Sequence, residues 1–254
     1  MGKITVGVLA LQGGVVEHIS LLQKAAPYIS SPDTSKSDFD FDFIQVRTKN
    51  ELAACDALII PGGESTTMSI VAQRLGLLDP LRDFVKVQGK PVWGTCAGLV
   101  MLAEEASATK KGGQELVGGL DVRVLRNRYG TQIQSFVADL RLPFLGETDT
   151  TPFRGVFIRA PVVEEIISPS AEAVTPGDGK KEPVEVMGVY RKPSEGGEDD
   201  DIVAVRQRNV FGTSFHPELT SDIRIHVWWL KQVLDAVGEQ KTGQGAGVQV
   251  DLPV

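Results

Sequence analysis

The sequence predicts an α/β protein in which a mostly parallel central sheet is flanked by helices and extended by antiparallel strands. In the first half, short apolar runs alternate with amphipathic segments of helical length, as in β-α units around a parallel sheet. Between residues 116 and 215, strand-like runs follow one another without a long helix, which favours antiparallel additions at one edge. We therefore expect a single domain over residues 1–238 and a flexible tail over 239–254.

The individual elements follow from apolar periodicity and from the turn residues between them. Apolar runs bounded by glycine, proline or polar clusters are typical of strands, whereas apolar residues at i, i+3 and i+4 are typical of helices. On these grounds the expected strands are 4–11, 41–46, 57–60, 92–95, 120–125, 131–140, 155–158, 184–190, 202–206 and 210–215. The expected helices are 15–29, 66–75, 79–87, 97–104 and 222–237.

Two internal segments are polar and rich in turn residues, and we expect them to be solvated inserts. Residues 30–40 carry serine, proline and aspartate, and residues 191–201 are acidic and rich in glycine. The second segment could be an acidic binding loop, but a solvated hairpin tip is the simpler interpretation.

The composition excludes several classes of protein. The net charge of −7 lacks the basic excess of a nucleic-acid binder, and no apolar run approaches the ~18 residues of a membrane helix. The run 4–11 ends without a signal-peptide cleavage pattern. The two cysteines form neither a disulfide framework nor a CxxC metal motif. We expect a cytoplasmic protein that binds no nucleic acid, no membrane and no metal.

One of the two cysteines lies in a pattern associated with nucleophilic catalysis. The stretch Gly94-Thr95-Cys96-Ala97-Gly98 falls between an expected strand and an expected helix. It is the thiol form of the nucleophile elbow, a sharp turn that exposes the nucleophile and needs small residues two positions to either side. The helix start favours the thiolate of Cys96. A buried structural cysteine is the alternative, and we expect Cys55 to be one.

A thiol nucleophile needs a base, and His216 is the best candidate among three histidines. It follows an expected strand in His216-Pro217-Glu218, and the proline favours extended geometry at His216. In an extended segment, residues i and i+2 face the same way, so Glu218 can orient the imidazole. His18 and His226 lie inside expected helices, where a packing role is the simpler interpretation.

Attack on a carbonyl also requires backbone N–H groups to stabilise the developing negative charge. The amide of Ala97, directly after the nucleophile, is one candidate. The loop 61–67 (PGGESTT), between a strand and a helix, is another, because its glycines allow close approach of a ligand. A phosphate-binding loop is rejected because the Gly-Lys-Ser/Thr ending is missing.

Taken together, these residues resemble a known family. Cys96, the PGGES loop and His216-x-Glu218 are similar to the class I (triad) glutamine amidotransferases. A narrower resemblance, to the glutaminase subunits of pyridoxal 5′-phosphate synthases, covers most of the chain in order. It rests on the blocks GVLALQGGVVEH, LIIPGGESTTM, GKPVWGTCAGL, RNRYGTQIQSF, GVFIRAP and GTSFHPELT.

The resemblance implies a flavodoxin-like three-layer fold and the hydrolysis of L-glutamine to L-glutamate and ammonia, with no cofactor. Cys96 would form a γ-glutamyl thioester. His216 would act as base and then as acid, and Glu218 would orient it. These roles are the ones that the elbow and the His-x-Glu pattern allow.

The resemblance also implies substrate contacts and an oxyanion hole. The oxyanion hole would involve Gly63 and Ala97, helped by Gln12. Arg126 suits the substrate α-carboxylate because a guanidinium can bind it bidentately. However, Arg123 and Arg128 lie close by, and spacing alone does not choose among the three. The implied substrate-binding positions are Gly63, Glu64, Ser65, Arg126, Ile158 and Arg159.

A partner is implied as well: a separate, ring-forming synthase subunit that takes up the ammonia to build pyridoxal 5′-phosphate (vitamin B6). The inserts 30–40 and 191–201 and the C-terminal tail are longer than in compact family members. Two alternatives stay open, namely an independent thiol hydrolase or peptidase and a catalytically silent binding subunit. The blocks PGGES, RNRYG and FIRAP favour glutamine over the first, and the complete Cys-His-Glu set argues against the second.

Overall fold

The polypeptide is built around a wide mixed sheet. The structure is a computed structural model, and the residues it describes are 2–29, 39–107, 114–126, 128, 135–146, 151–167, 182–191 and 200–244. The strands of these ranges are β1 (Gly2–Leu9), β2 (Phe39–Val46), β3 (Ala57–Ile60), β4 (Val92–Thr95), β5 (Ala103–Ser107), β6 (Leu120–Leu125), β7 (Ser135–Leu140), β8 (Phe153–Ile158), β9 (Val162–Ile166), β10 (Glu185–Tyr190), β11 (Asp201–Gln207) and β12 (Val210–Thr213).

The order of the strands confirms the predicted fold class. Within the described ranges the main sheet runs β2-β1-β3-β4-β12-β11-β9-β6-β5, with β10 also paired to β11 and with β7 and β8 forming a separate pair. The strands from β2 to β12 are parallel to their neighbours, whereas β11 is antiparallel to β12, β9 and β10. The carboxyl ends of β1, β3, β4 and β12 therefore meet at one edge, where open α/β sheets bind ligands.

Helices cover both faces of the sheet, which gives three layers. Successive side chains of β3 point to opposite faces and contact a different helical layer on each. Leu58 and Ile60 pack into one apolar cluster with α3, α4 and α5, whereas Ala57 and Ile59 pack into the other with α1 and α6. The helices are α1 (Val15–Ala25), α2 (Lys49–Ala53), α3 (Ser65–Arg74), α4 (Leu78–Arg82), α5 (Ala97–Leu102) and α6 (Arg224–Gln244). None of the described helices is long and apolar enough to cross a membrane.

Three elements differ from the sequence prediction. The helix expected over 97–104 ends at Leu102, and Ala103–Ser107 instead pairs with β6 in parallel, so tertiary pairing overrides the helix propensity of its two glutamates. Val162–Ile166 was not predicted as a strand because its sequence is half charged, yet it lies between β6 and β11. The short helix Lys49–Ala53 was also missed, although Thr48 and Glu51 form a capping box there.

The expected inserts lie largely outside the described residues. Of 30–40, only Phe39 and Asp40 are described, and they already belong to β2. Of 191–201, residues 192–199 lie outside, but the flanking Tyr190 and Asp201 are paired across antiparallel strands, which fits a hairpin connection. Helix α6 continues past the expected boundary at 238 to residue 244, and 245–254 lie outside the described part.

Two glycines allow the turn at Cys96 to pack against β3. A Cβ on Gly98 would lie 1.9 Å from the carbonyl oxygen of Ile60, and a Cβ on Gly94 would lie 2.5 Å from the Gly98 backbone. Neither neighbour is a flexible side chain that could move away. The close approach of α5 to β3 and β4 therefore requires glycine at both positions.

Two imidazoles lie in the core between β4 and the α1/α6 layer. His18 and His226 are fully buried, and Nδ1 of His18 is 3.1 Å from Nε2 of His226. Trp93 contacts both rings edge-on. Burial lowers the pKa of each histidine to about 3, so both are neutral at physiological pH.

Gly98→Ala is expected to lower the free energy of unfolding by about 3 kcal/mol, because the added methyl group overlaps the Ile60 carbonyl. Gly238→Ala is the matched control. A Cβ there meets nothing within 4 Å, and the same change inside α6 is expected to raise stability by roughly 0.5–1 kcal/mol. Urea denaturation measures both, and two changes of the same sign would contradict this account.

Stability is expected to fall as the pH drops below the ordinary histidine pKa of 6.5, because the unfolded chain then protonates imidazoles that the folded chain keeps neutral down to about pH 3. Each buried histidine contributes a slope of about 1.4 kcal/mol per pH unit within that window. His226→Leu removes one of these histidines, so the dependence of the free energy of unfolding on pH should become shallower by about 1.4 kcal/mol per pH unit. Urea denaturation from about pH 7 to about pH 4.5 tests this, and an unchanged slope in the variant would exclude it.

Candidate active site

Cys96 occupies the turn between β4 and α5 in a conformation that few side chains adopt. Its φ is 50° and its ψ is −106°, and its side chain is only 6% exposed. The Cys96 amide donates to the carbonyl of Thr213 on β12 at 2.8 Å, which ties the turn to the neighbouring strand. A strained backbone at this position is the structural mark of the predicted elbow. The other cysteine, Cys55, is buried as expected, and burial raises its pKa to about 12.

His216 and Glu218 lie directly after β12 and face each other as the sequence predicts. His216 is extended, and Pro217–Leu219 then forms a short 3-10 turn. Nδ1 of His216 lies 2.7 Å from Oε1 of Glu218. The Cys96 side chain also interacts with His216 and raises the pKa of its imidazole. Since Glu218 occupies Nδ1, the nitrogen left for the sulfur is Nε2.

The surroundings of this trio favour a charged imidazole. Burial alone would lower the pKa of His216, but its interactions with Cys96 and Glu218 raise that pKa to about 10. Burial alone would raise the pKa of Glu218, but the hydrogen bond with His216 and the positive charge of that imidazole lower it. An ionised Glu218 beside a protonated His216 is the arrangement that stabilises a neighbouring thiolate.

Glu218 has a second neighbour that the sequence did not reveal. Nε2 of the buried His18 lies 3.4 Å from Oε2 of Glu218, and His226 lies behind His18. A Cβ on Gly14 would lie 3.2 Å from Oε1, so the start of α1 closes over the carboxylate. The sequence favoured a packing role for His18, in the core or at the surface, and gave no indication of this contact.

The loop after β3 lies against the trio. A Cβ on Gly62 would lie 2.5 Å from Cε1 of His216 and 3.4 Å from Cβ of Cys96, so this glycine faces both side chains. Next to it, the amide of Glu64 donates to Oε1 of Gln12 at 2.6 Å. A Cβ on Gly63 would lie 2.0 Å from the same oxygen. The structure thus brings Gly63 and Gln12 together, with Gln12 holding the backbone of the loop.

Glu64 begins α3 and binds one of the three candidate arginines. Its carboxylate accepts from the amides of Thr66 and Thr67, at 3.1 and 2.8 Å, and from the Thr67 hydroxyl at 2.7 Å. Partial burial opposes ionisation, but these hydrogen bonds lower the pKa of Glu64 to about 2. Nη2 of Arg126 donates to Oε1 of Glu64 and to Oγ1 of Thr66, both at 2.9 Å.

The other two arginines have partners elsewhere. Arg123 forms ion pairs with Glu105 and Glu165 on the neighbouring strands, and Arg128 pairs with Asp201 at 3.3 Å. Of these three arginines, Arg126 is the one that reaches the loop after β3. The structure therefore makes the choice that sequence spacing alone could not make.

Ser65 is nearly buried and is held by a residue that sequence analysis missed. Its hydroxyl donates to Oε1 of Gln114 at 3.1 Å, and the Thr66 hydroxyl lies 3.5 Å from the same oxygen. Gln114 belongs to a polar stretch between β5 and β6 that has no recognisable pattern. Thr66 and Thr67 could have been predicted as partners of Glu64, because the spacing matches a helix N-terminus.

The remaining predicted positions lie close by in sequence or in space. Ala97 opens α5, and the first amides of a helix have no partner within the helix. Ile158 and Arg159 follow Val156, whose carbonyl accepts from the amide of His216 at 2.8 Å, and both are exposed at the end of β8. Arg159 has a positive φ of 46°. Among the described residues, no group of three or more His, Cys, Asp or Glu side chains could hold a metal.

Comparison with known proteins places this geometry in a family. Residues 8–235 match the family model described as "SNO glutamine amidotransferase family". The chain is 44% identical over 237 residues to a probable pyridoxal 5′-phosphate synthase subunit PDX2 of Arabidopsis thaliana, covering 90% of this chain and 85% of the relative. It is 45% identical over 228 residues to pyridoxal 5′-phosphate synthase subunit PdxT of Acidothermus cellulolyticus, covering 90% and 93%.

The solved structures agree with the sequence relatives. A crystal structure of a glutamine amidotransferase superposes with a TM-score of 0.64 at 35% identity, covering 90% of this chain and 98% of its own. The glutaminase domain of a CTPS from Trypanosoma brucei, with a TM-score of 0.50 and 11% identity, shares the fold alone. Since the family model spans most of the residues and the relatives match along nearly their whole lengths, the chain belongs to the SNO glutamine amidotransferase family.

Proposed function

We propose that this chain is a glutaminase that hydrolyses L-glutamine to L-glutamate and ammonia and delivers the ammonia to a synthase subunit that makes pyridoxal 5′-phosphate. The observation that carries the proposal is the connected set Cys96–His216–Glu218, which lies beside the Arg126–Glu64 pair at the carboxyl edge of the sheet. A nucleophile with its base and a site for an amino acid's charged groups are therefore neighbours.

In the first half-reaction, the Cys96 thiolate attacks the side-chain amide carbon of glutamine. The tetrahedral intermediate collapses by breaking the C–N bond, His216 gives its proton to the departing ammonia, and a γ-glutamyl thioester remains on the sulfur. In the second half-reaction, His216 takes a proton from water, which attacks the thioester and releases glutamate and the thiolate. Glu218 keeps the imidazole oriented in both steps.

The oxyanion that develops on the amide oxygen needs donors at the turn and at the loop. Ala97 supplies the amide after the nucleophile, and Gly63 supplies a second from the opposite side. Gln12 acts through the backbone, since its side chain accepts from the amide of Glu64 and fixes the neighbouring peptide. The role of Gln12 is thus to position the loop.

The charged ends of glutamine match the pair at the start of α3. Arg126 binds the α-carboxylate and Glu64 attracts the α-ammonium group, while Ser65 lies at the base of the same loop. Ile158 and Arg159, exposed at the end of β8, border the substrate from the side of His216. In the absence of substrate, the two charged side chains neutralise each other, so binding exchanges one ion pair for two.

The names of the relatives support the partner. Both PDX2 and PdxT are named as synthase subunits, which implies a complementary subunit that consumes the ammonia. Two exposed apolar side chains, Val16 on α1 and Leu219 in the turn after β12, lie on elements that pack together around Glu218. We assign these two side chains to the surface that contacts a docked partner. We propose the ring-forming synthase as that partner.

Glutamate release from L-glutamine, with and without a pyridoxal 5′-phosphate synthase subunit, tests the function. We expect weak hydrolysis by the chain alone and strong stimulation in the complex. Cys96→Ala should abolish hydrolysis, a loss of about 10³-fold or more, because no other group can form the thioester. Cys55→Ala is the matched control and should keep full activity, because that thiol is protonated and buried. Absence of glutamate release even with the synthase would overturn the proposal.

Arg126→Lys is expected to raise KM for glutamine by about tenfold with a smaller change in kcat, because a lysine loses the bidentate grip on a carboxylate. Arg123→Lys makes the same chemical change on a surface pair with Glu105 and Glu165, and both kinetic constants should stay unchanged. Steady-state kinetics of the complex provides the measurement. If the two variants behaved alike, Arg126 would have no specific role in binding.

A further inference from the structure

The triad carboxylate has one oxygen whose partner the proposed mechanism leaves unexplained. Oε1 of Glu218 binds His216, but Oε2 is buried, and no standard hydrogen bond reaches it within the described residues. Nε2 of His18 lies 3.4 Å from this oxygen. An ionised oxygen in such a place is costly unless a donor points at it.

His18 is held in place from three sides. Its Nδ1 lies 3.1 Å from Nε2 of His226, its Nε2 lies 3.4 Å from the hydroxyl oxygen of Thr95, and Trp93 contacts its ring edge-on. Thr95 directly precedes the nucleophile. His18 therefore contacts the residue before the nucleophile, the triad carboxylate and a second buried imidazole at the same time.

The contacts of the two imidazoles select one pair of tautomers. If Nδ1 of His18 carried the proton, a lone pair on Nε2 would face the Glu218 carboxylate, and the Nδ1–H of His226 would be a buried donor without a partner. With the proton on Nε2 of each ring, His226 donates to His18, and the Nε2–H of His18 faces both Oε2 of Glu218 and the hydroxyl of Thr95, each at 3.4 Å. Of the four ring nitrogens, Nδ1 of His226 is then the one without a partner among the described residues, and it carries a lone pair rather than a proton.

We infer that His18 is a positioning residue of the triad: its Nε2–H holds the outer oxygen of Glu218, and His226 fixes the tautomer that makes this possible. This inference rests on the proposed glutaminase function. With both oxygens held, the carboxylate cannot rotate away from His216 or take up a proton easily. The distance of 3.4 Å is long for a hydrogen bond, but such contacts often shorten only when the neighbouring groups become charged during the reaction.

The titratable groups around Glu218 determine what removal of the donor would do. His216 faces it from its own turn and His18 from α1, while His226 from α6 acts behind His18 and Cys96 acts behind His216. Without the donor from α1, the buried carboxylate protonates at higher pH. It then stabilises the His216 imidazolium less well, and the imidazolium in turn stabilises the Cys96 sulfur less well during attack.

Two amide substitutions separate the two ring nitrogens of His18. In His18→Gln, the side-chain NH₂ can take the place of the imidazole Nε2 and still donate to Glu218. In His18→Asn, the shorter side chain places its amide near the Nδ1 position, within reach of His226 but not of Glu218. Leu22→Val, one turn further along the buried face of α1, is the control for a packing defect.

The readout is the pH profile of kcat and of kcat/KM for glutamine in the complex with the synthase subunit. We expect His18→Asn to lower kcat about tenfold with KM nearly unchanged and to move the acid limb up by roughly 0.5–1 pH unit. His18→Gln should restore most of the rate, and Leu22→Val should keep the wild-type profile. Equal profiles for the Asn and Gln variants, both folded by circular dichroism, would falsify the inference.

A second measurement on the chain alone separates this inference from the proposed function. The rate of Cys96 alkylation by iodoacetamide, followed by peptide mass spectrometry, reports the thiolate without glutamine or a partner. We expect the variants to rank as in the kinetic measurement. The pH profile of the alkylation rate should be displaced to higher pH in His18→Asn and should stay close to wild type in His18→Gln. An undisplaced profile contradicts the positioning role, whereas a wild-type complex that releases no glutamate contradicts the glutaminase. Should His18→Asn not fold, His226→Leu takes its place, because it removes the partner that fixes the tautomer of His18. A profile displaced to higher pH supports the role, and an undisplaced one opposes it.

Discussion

The parallel pairing of β4 with β12 determines where the sulfur and the imidazole meet. Thr95 is paired with Thr213, so Cys96 follows the last pair by one residue and His216 by three. The amide of Cys96 donates to Thr213, which continues this pairing into the turn. A slip of one residue would turn each side chain to the opposite face. The glycines around Cys96 matter because they let α5 settle against β3 without disturbing this register.

The buried carboxylate of Glu218 accounts for the two buried histidines, His18 and His226, in an otherwise apolar core. In the proposed mechanism Glu218 stays ionised to orient His216, yet its side chain is buried. Neutral hydrogen-bond donors around Glu218 offset part of the free-energy cost of burying its charge, whereas apolar side chains alone would not. His18 and His226, both in contact with Trp93, supply such donors, and burial keeps both rings neutral.

The sequence was sufficient to predict the parallel core, the elbow and the His-x-Glu pair, because each rests on local spacing between neighbouring residues. It could not place His18, since 200 positions separate it from Glu218 and a buried histidine looks like any packed residue. Nor could it choose among Arg123, Arg126 and Arg128, because side-chain direction after a strand depends on the strand's partners. The start of Ala103–Ser107 was assigned to a helix and its remainder to no element, because only the pairing with β6 makes this segment a strand.

The carboxylate of Glu64 has an additional consequence for how this protein can vary. It caps α3 with both oxygens and also holds Arg126, so one side chain serves both local folding and the proposed substrate site. The two properties cannot be changed independently at this position. Any replacement that improves ligand binding must also keep the helix start in place, which narrows the set of acceptable residues far below what either task alone would allow.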